Sequence, residues 1–368
     1  MHRVLLLGGY GVFGGRIAER LARERDVELI LAGRSGERAS ALAAVIAQSS
    51  RAKVTPARLD AMELETEALA ALRAEVVINA SGPYQWQDYR LARAAIAAGA
   101  HYIDLADARA FVTGIGVLDR EARAAGVLVV SGASTLPALS AAVIDEYAPR
   151  FQSLKAANIV IAPGNSFDPG LATTQSILGT LGRPFATSDG GSRPAIYGWQ
   201  NLRRQMLPEL GTRWLGACEA PDLDLLPRRY PGLSSVDVSA ALEVGAFHLG
   251  LWVLSWLVRG GLVGRPERLA APLLRVKGAL RFLGSDVGGM AVTLEGNDRA
   301  GAPQRVAWHL VARRGHGPYI PTIASIILAK RLLAGTLAQR GAMPCLGLFT
   351  LSDFLCEVAD LDIAAANP

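Results

Sequence analysis

Three cysteines, Cys218, Cys345 and Cys356, are an odd number, and no two stand at Cys-x-x-Cys spacing. This excludes a disulfide framework and a structural zinc site, and a reducing cytoplasm is the expected location. No other cluster has metal-ligand spacing, so no metal is expected. Aromatic residues make up only 6% of the chain, and runs of like charge are missing. A base-stacking surface and a basic nucleic-acid arm are thereby excluded, although the net charge is +5. The 38 basic residues are mostly arginine, scattered among alanine and leucine. Long hydrophobic runs are also lacking. Met1-His2-Arg3 precedes an apolar run at 4–7, but glycines at 8, 9, 11, 14 and 15 cut it and no small-residue cleavage site follows. That start reads as a buried strand entering a glycine turn, and a secretory signal is not expected. The uncharged stretch 124–144 holds Gly126, Gly132 and Pro137, so it reads as strand, turn and helix. The apolar stretch 244–258 contains His248 and is shorter than the roughly 20 residues of a spanning helix.

What the chain has is core-forming material. Its 368 residues are 51% hydrophobic with a mean hydropathy of +0.25, enough for two compact domains. In the first part, short β-type runs at 4–7, 27–32, 54–59, 75–80, 102–105 and 127–130 alternate with alanine-rich helical stretches at 14–25, 39–48, 64–72, 89–98 and 116–125. Apolar strands separated by helices predict an α/β fold with a doubly wound parallel sheet covered on both faces. The expected limits are 1–150 for this nucleotide-binding domain, with 316–368 returning to it, and 151–315 for a substrate or dimerisation domain.

Gly9-Tyr10-Gly11-Val12-Phe13-Gly14 is a G-x-G-x-x-G placed directly after an apolar strand and opening a helix. Glycines there permit a tight turn, close approach of a pyrophosphate to the backbone, and helix–strand contact. The helix start offers backbone N–H groups and a favourable dipole to the phosphates. The second strand ends in Gly33-Arg34-Ser35, without the Asp or Glu that would hold a ribose 2′-hydroxyl. Arg34, with the Ser35 hydroxyl, suits a 2′-phosphate, so the expected cofactor is NADP. Asp60, after the third strand, either touches the adenine edge or caps the next helix. Ser81, Gly82 and Pro83, after the fourth strand, are expected to let the cofactor pass close to the backbone.

These residues carry a resemblance. The strand at 75–80 leading to Ser81-Gly82-Pro83-Tyr84, then His101-Tyr102-Ile103-Asp104-Leu105 and Val129-Val130-Ser131-Gly132 before Pro137, is similar to the saccharopine dehydrogenase-like family of NADP-binding oxidoreductases. Gly315-His316-Gly317-Pro318-Tyr319-Ile320-Pro321 resembles its uncharacterised bacterial branch. The resemblance covers residues 1 to about 145 and is patchy beyond. It implies a Rossmann domain followed by a mixed α/β substrate domain, with the tail returning to the first. Saccharopine-forming members carry Asp-Pro-Gly after the sixth strand, whereas this chain has Ser134-Thr135-Leu136-Pro137 there and its only Asp-Pro-Gly is Asp168-Pro169-Gly170. The Gly132-to-Pro137 spacing is nearer the enoyl reductase branch, without that branch's acidic residue near Ser134.

Past residue 151 the reading is a strand at 158–162, a helix at 171–181, a strand at 195–199 and an irregular lobe over 211–233. A hairpin is expected from 290–296 and 305–313, with Val306, Trp308 and Leu310 on one face and His309 on the other. Hydride transfer needs alignment and a proton donor. The catalytic candidates are Tyr84, Asp107 and His316, with His309 and Tyr319 behind them, and His248 is read as core. No Tyr-x-x-x-Lys pair or Gly-x-Ser-x-Gly elbow occurs. The expected function is NADP-dependent hydride transfer with a poorly charged carbonyl, imine or enoyl small-molecule substrate. Its alternative is an NADP(H)-binding sensor or interaction protein with reduced catalysis. A homodimer is expected, and no nucleic-acid partner. The apolar segment 242–263 lines a pocket, forms an interface or touches a membrane peripherally.

Overall fold

The computed structural model describes residues 1–186 and 195–366. The chain divides into two compact units, Met1–Leu139 with Pro318–Phe349, and Ser140–Gly317 with Thr350–Pro368.

In the first unit, β1 (His2–Leu7), β2 (Val27–Gly33), β3 (Lys53–Arg58), β4 (Val76–Asn79), β5 (His101–Asp104) and β6 (Leu128–Ser131) form one parallel sheet, in the order β6-β5-β4-β1-β2-β3. Helices connect them, including α1 (Val12–Leu21) and α2 (Gly36–Ala47). The Val4–Leu7 run is fully buried because parallel strands with crossover helices are covered on both faces. β1 lies between β2 and β4, so the strand order reverses there and a crevice opens at the carboxyl ends of β1 and β4. This α/β architecture is the expected one. A late segment completes the sheet: Gly341–Pro344 (β15) pairs parallel with β6 at its edge. The helix Ile323–Leu333 packs on α1 and on the strands, with Ile323, Ile326 and Leu328 fully buried.

The second unit is built on a mixed sheet. Its strands are β7 (Ser153–Ala162), β10 (Arg203–Leu207), β11 (Gly211–Ala217), β12 (Ser235–Ala240), β13 (Gly288–Asn297), β14 (Pro303–Ala312) and β16 (Ile363–Ala366). They run in the order β10-β11-β12-β7-β13-β14-β16, with only β12 and β7 parallel. A small ribbon pairs β8 (Pro184–Phe185) with β9 (Ile196–Tyr197). The β13–β14 hairpin has the expected facing, with Val306, Trp308 and Leu310 buried and Val292 opposite Trp308. Asp298 closes its turn by accepting N–H bonds from Ala300 and Ala302 at 2.8 and 2.9 Å.

Two expectations are corrected. Residues 211–233 are not an irregular lobe: they contain β11 and the helix Asp222–Arg229. The Pro, Gly and Asp residues that suggested a loop fall at its ends, with Pro221 as the helix N-cap and Pro227 inside its last turn. The tail does not return whole to the first domain, because β16 pairs with β14 in the second sheet.

Candidate functional site

The glycine loop is organised around Gly8, a residue outside the predicted fingerprint. Gly8 has φ +73° and its carbonyl accepts the Gly11 N–H at 2.8 Å, which makes it the turn residue of the loop. Gly14 provides the close approach, since a Cβ there would fall 2.1 Å from the Gly8 carbonyl oxygen. Gly11 is the N-cap of α1, and no side chain caps that helix. An uncapped helix start at the carboxyl edge of the central strand is the arrangement that takes an anion.

At the end of β2, the Tyr10 ring lies against Gly33, where a Cβ would come within 2.3 Å of it. The Tyr10 hydroxyl accepts the Ser35 N–H at 2.8 Å, and the Arg38 guanidinium sits 4.6 Å over the ring. Ser35 is the N-cap of α2, its Oγ accepting from the Arg38 N–H at 3.3 Å. Arg34 is exposed in the turn. Arg58, opposite Gly33 in the sheet register, brings a third guanidinium to the same strand ends. Arg38 and Arg58 escaped the sequence reading, because one lies a helical turn beyond Ser35 and the other reaches the site only through strand pairing. Asp60 resolves into a turn cap, its Oδ1 accepting the Met62 N–H at 3.0 Å.

A buried polar network crosses the carboxyl edge of β4, β5 and β6. Asn79 accepts the Ser81 N–H at 3.0 Å and donates to the Tyr102 hydroxyl at 3.1 Å. Asp104 accepts from the Ala106 N–H, the Ser131 hydroxyl and the Gly132 N–H at 3.0, 2.9 and 2.9 Å. Full burial pushes the Asp104 carboxyl up to about 6 against the pull of those donors. Asp104 thus ties the loop after β5 to the loop after β6. Gln87 braces the Ser81–Pro83 loop by donating to the carbonyls of Ser81 and Pro83 at 2.7 and 3.1 Å. The Gly132-to-Pro137 spacing is a contact: the Pro137 ring packs on Gly132. Asn79, Tyr102 and Asp104 were given no role by sequence. A carboxylate and an amide ending otherwise apolar strands were the available signal.

Of the proton-donor candidates, Tyr84 is corrected. Its side chain is buried, its hydroxyl donates to the Asn79 carbonyl at 2.6 Å, and burial raises the phenol well above its usual range. It braces the loop after β4, its hydroxyl turned to the backbone. Asp107 is exposed just past β5 and accepts from Gln85 Nε2 at 3.4 Å. His316 belongs to the second unit, where its Nδ1 accepts the Asp362 N–H at 2.7 Å. Tyr319 donates to Glu19 at 2.5 Å beneath the Arg16 guanidinium, and burial together with the Glu19 carboxylate pushes its phenol up to about 12 against the pull of Arg16, so it fastens the late segment to α1. His309 is a mostly covered sheet residue 3.4 Å from Glu209. His248 is fully buried beside Trp199 and held down to about 4 by burial. Asp168-Pro169-Gly170 opens the helix Gly170–Thr180, Asp168 accepting the Gly170 N–H at 2.8 Å.

Comparison with known proteins follows the same division of the chain. Residues 4–130 match the family model of the saccharopine dehydrogenase NADP binding domain. Apo saccharopine dehydrogenase (L-Glu forming) from Saccharomyces cerevisiae is 14% identical over the whole of both chains, with a TM-score of 0.67. Amine dehydrogenase from Mycobacterium smegmatis is 12% identical over 94% of each chain, with a TM-score of 0.48. No curated protein matches the sequence. At such identity the structural likeness is one of fold, whereas the family model matches residues 4–130 directly, so the sequence likeness is to the NADP-binding domain of saccharopine dehydrogenase and is confined to the first unit.

Proposed function

We propose that this chain is an NADP(H)-dependent oxidoreductase acting on a poorly charged carbonyl, imine or enoyl substrate. The observation that carries the reading is the conjunction of an uncapped α1 behind the Gly8–Gly14 turn with three arginines at the ends of β2 and β3. Tyr10, Gly11, Val12, Phe13 and Gly14, with Gly9 beneath them, hold the pyrophosphate by backbone N–H groups and the helix dipole. Arg34 and Arg38 take the 2′-phosphate in charge-assisted bonds, with Ser35 keeping α2 capped beside it. Asp60 shapes the turn that borders the adenine side. Ser81, Gly82 and Pro83 present a small-residue wall at the nicotinamide end, kept in place through Asn79, Gln87 and Asp104. The bound cofactor supplies the hydride chemistry. Asp107 is the side chain assigned to exchange a proton with the substrate, being exposed at the same edge.

Fluorescence titration tests this. NADPH is expected to bind more tightly than NADH, and Arg34→Ala is expected to weaken NADPH about tenfold to a hundredfold, as loss of a charged hydrogen bond does, while leaving NADH unchanged. Absence of NADPH binding refutes the proposal. A second reading, binding without turnover, draws on the burial of Tyr84 and the engagement of His316 Nδ1. Consumption of NADPH across a set of aldehydes, ketones, imines and enoyl esters excludes it, and binding without any consumption favours it.

A further inference from the structure

The helix Gly245–Arg259 packs Leu251, Trp252 and Leu254 on a core cluster but leaves a second apolar side uncovered. Its fully buried residues are His248 and Ser255, while Ala246, Gly250, Val253, Trp256 and Leu257 face water at helix-face spacing. The exposure continues along the chain: Val253 and Trp256 are 50% and 47% exposed, and Leu262 and Phe282 are 77% and 73% exposed. Of the fifteen large apolar side chains exposed among the described residues, eight fall within 253–283. Single exposed apolar residues are ordinary, but a concentration of this kind marks a contact surface.

Charge accompanies it. Residues 245–283 contain six basic residues and one acidic, Glu267; taken from 38 and 33 in the whole chain, these leave 32 of each sign elsewhere. The entire net charge of +5 therefore resides in this stretch. Glu267 is mostly covered and lies 4.0 Å from Arg183, so its charge is turned toward a cation already. Beside Trp256 an open cavity of about 470 Å³ is lined by Arg183, Tyr197, Val258 and Arg259, with glycines 182, 261 and 264. The Arg259 guanidinium is held 3.8 Å over Tyr197 and 4.9 Å from the Trp256 ring centre, donating one bond to Gln200 at 2.8 Å.

We infer that this face is a peripheral docking surface for a bilayer containing anionic phospholipid. Exposed Trp, Phe, Leu and Val side chains enter the interfacial layer while arginines between them meet headgroup phosphates, the Arg183–Arg259 cavity receiving one. A second copy is a poorer occupant, because a two-fold contact would set one cationic patch against its own duplicate. No helix among the described residues is long and apolar enough to cross a membrane, so the attachment lies on the surface. The inference does not depend on the nucleotide reading.

Sedimentation of the full chain with vesicles tests it, using phosphatidylcholine alone and phosphatidylcholine mixed with phosphatidylglycerol. Binding to the mixed vesicles is expected to exceed binding to the neutral ones at least tenfold and to fall as salt is raised, since an exposed basic residue near an anionic leaflet contributes about fivefold. Trp256→Asp with Phe282→Asp is expected to lower binding about tenfold or more, and Arg265→Glu with Arg268→Glu and Arg275→Glu about a hundredfold on mixed vesicles only. All five positions are exposed, and an unchanged circular-dichroism melt shows that the fold persists. The lipid and salt comparisons need no variant at all. Equal partition onto neutral and anionic vesicles overturns the proposal, as does wild-type protein that stays in the supernatant with both. A dimer that Trp256→Asp dissociates, without vesicle binding, assigns the face to a second copy instead.

Discussion

Buried carboxylates show how a single residue can work against the fold that contains it. Asp222, fully covered at the start of the helix Asp222–Arg229, accepts the Ser140 hydroxyl, and burial pushes it up to about 7. An acid whose folded pKa lies above its unfolded value keeps its proton in the native state longer than in the unfolded chain. Its contribution is fully present below about pH 4 and is lost as pH rises toward 7. Asp222→Asn keeps the acceptor for Ser140 and removes the buried charge. The variant is expected to lose less stability than wild type between pH 5 and pH 8, by on the order of 2 to 4 kcal/mol, in urea unfolding of both proteins. An equal loss in both would show that Asp222 does not titrate in that range. Glu28 has the opposite sign. Lys53 donates to it and Arg3 pairs with it, holding its carboxyl below the usual range, so its contribution exists above the unfolded pKa and fades on acidification. Neither sign was legible from the residue alone: an Asp among apolar neighbours reads the same whether its partner is a hydroxyl or a cation.

At the scale of elements, hydrophobic period was a good guide wherever an element buries one face or all of itself. Strands β1 to β6 of the first unit and the β13–β14 hairpin follow from their apolar residues. α1 meets the strand turn most closely where Gly14 lies against Gly8 and Gly9. Gly14→Ala is expected to push α1 away from that turn and to destabilise the first unit by about 1 to 3 kcal/mol, as overpacking does, with loss of NADPH binding. Thermal melting and fluorescence titration of the variant check this, and an unchanged melt with unchanged binding would contradict the contact. The period was silent where a helix is apolar all round. Stretch 244–258 reads as pocket lining, interface or membrane contact, and in the fold it covers His248 and Ser255 fully and packs Leu251, Trp252 and Leu254 on a core cluster while Val253, Trp256 and Leu257 stay exposed. A run that is apolar on all sides cannot say which of its sides the rest of the molecule covers.

For the whole molecule, both units are discontinuous: the chain returns to the first at Pro318–Phe349 and then re-enters the second at Thr350. β15 at the sheet edge pairs only with β6 among the described residues. If the first unit holds the dinucleotide, ligand stabilises that unit by RT ln(1 + [L]/Kd), about 2.7 kcal/mol at a hundredfold excess over Kd. Amide exchange is therefore expected to slow on NADPH addition in β1, β4, β6 and β15 together, with β13 and β14 little changed. Slowing confined to the glycine loop would mean that Gly341–Pro344 is not coupled to the nucleotide site.

The sequence by itself determined the parallel α/β unit, its glycine turn and the arginine at the end of β2, because each depends on neighbours within a few residues: burial period along a strand, a helix start, a missing acidic side chain. Tertiary structure alone decided which glycine turns the chain, that Tyr84 points inward to the Asn79 carbonyl, and that Arg58 stands beside Gly33. It also decided that Asn79, Tyr102, Asp104 and Ser131, from three strands, join in one network, and that β15 and β16 end in different sheets. Each of these depends on a partner brought close by strand pairing or packing, and such partners leave no period in the chain that meets them.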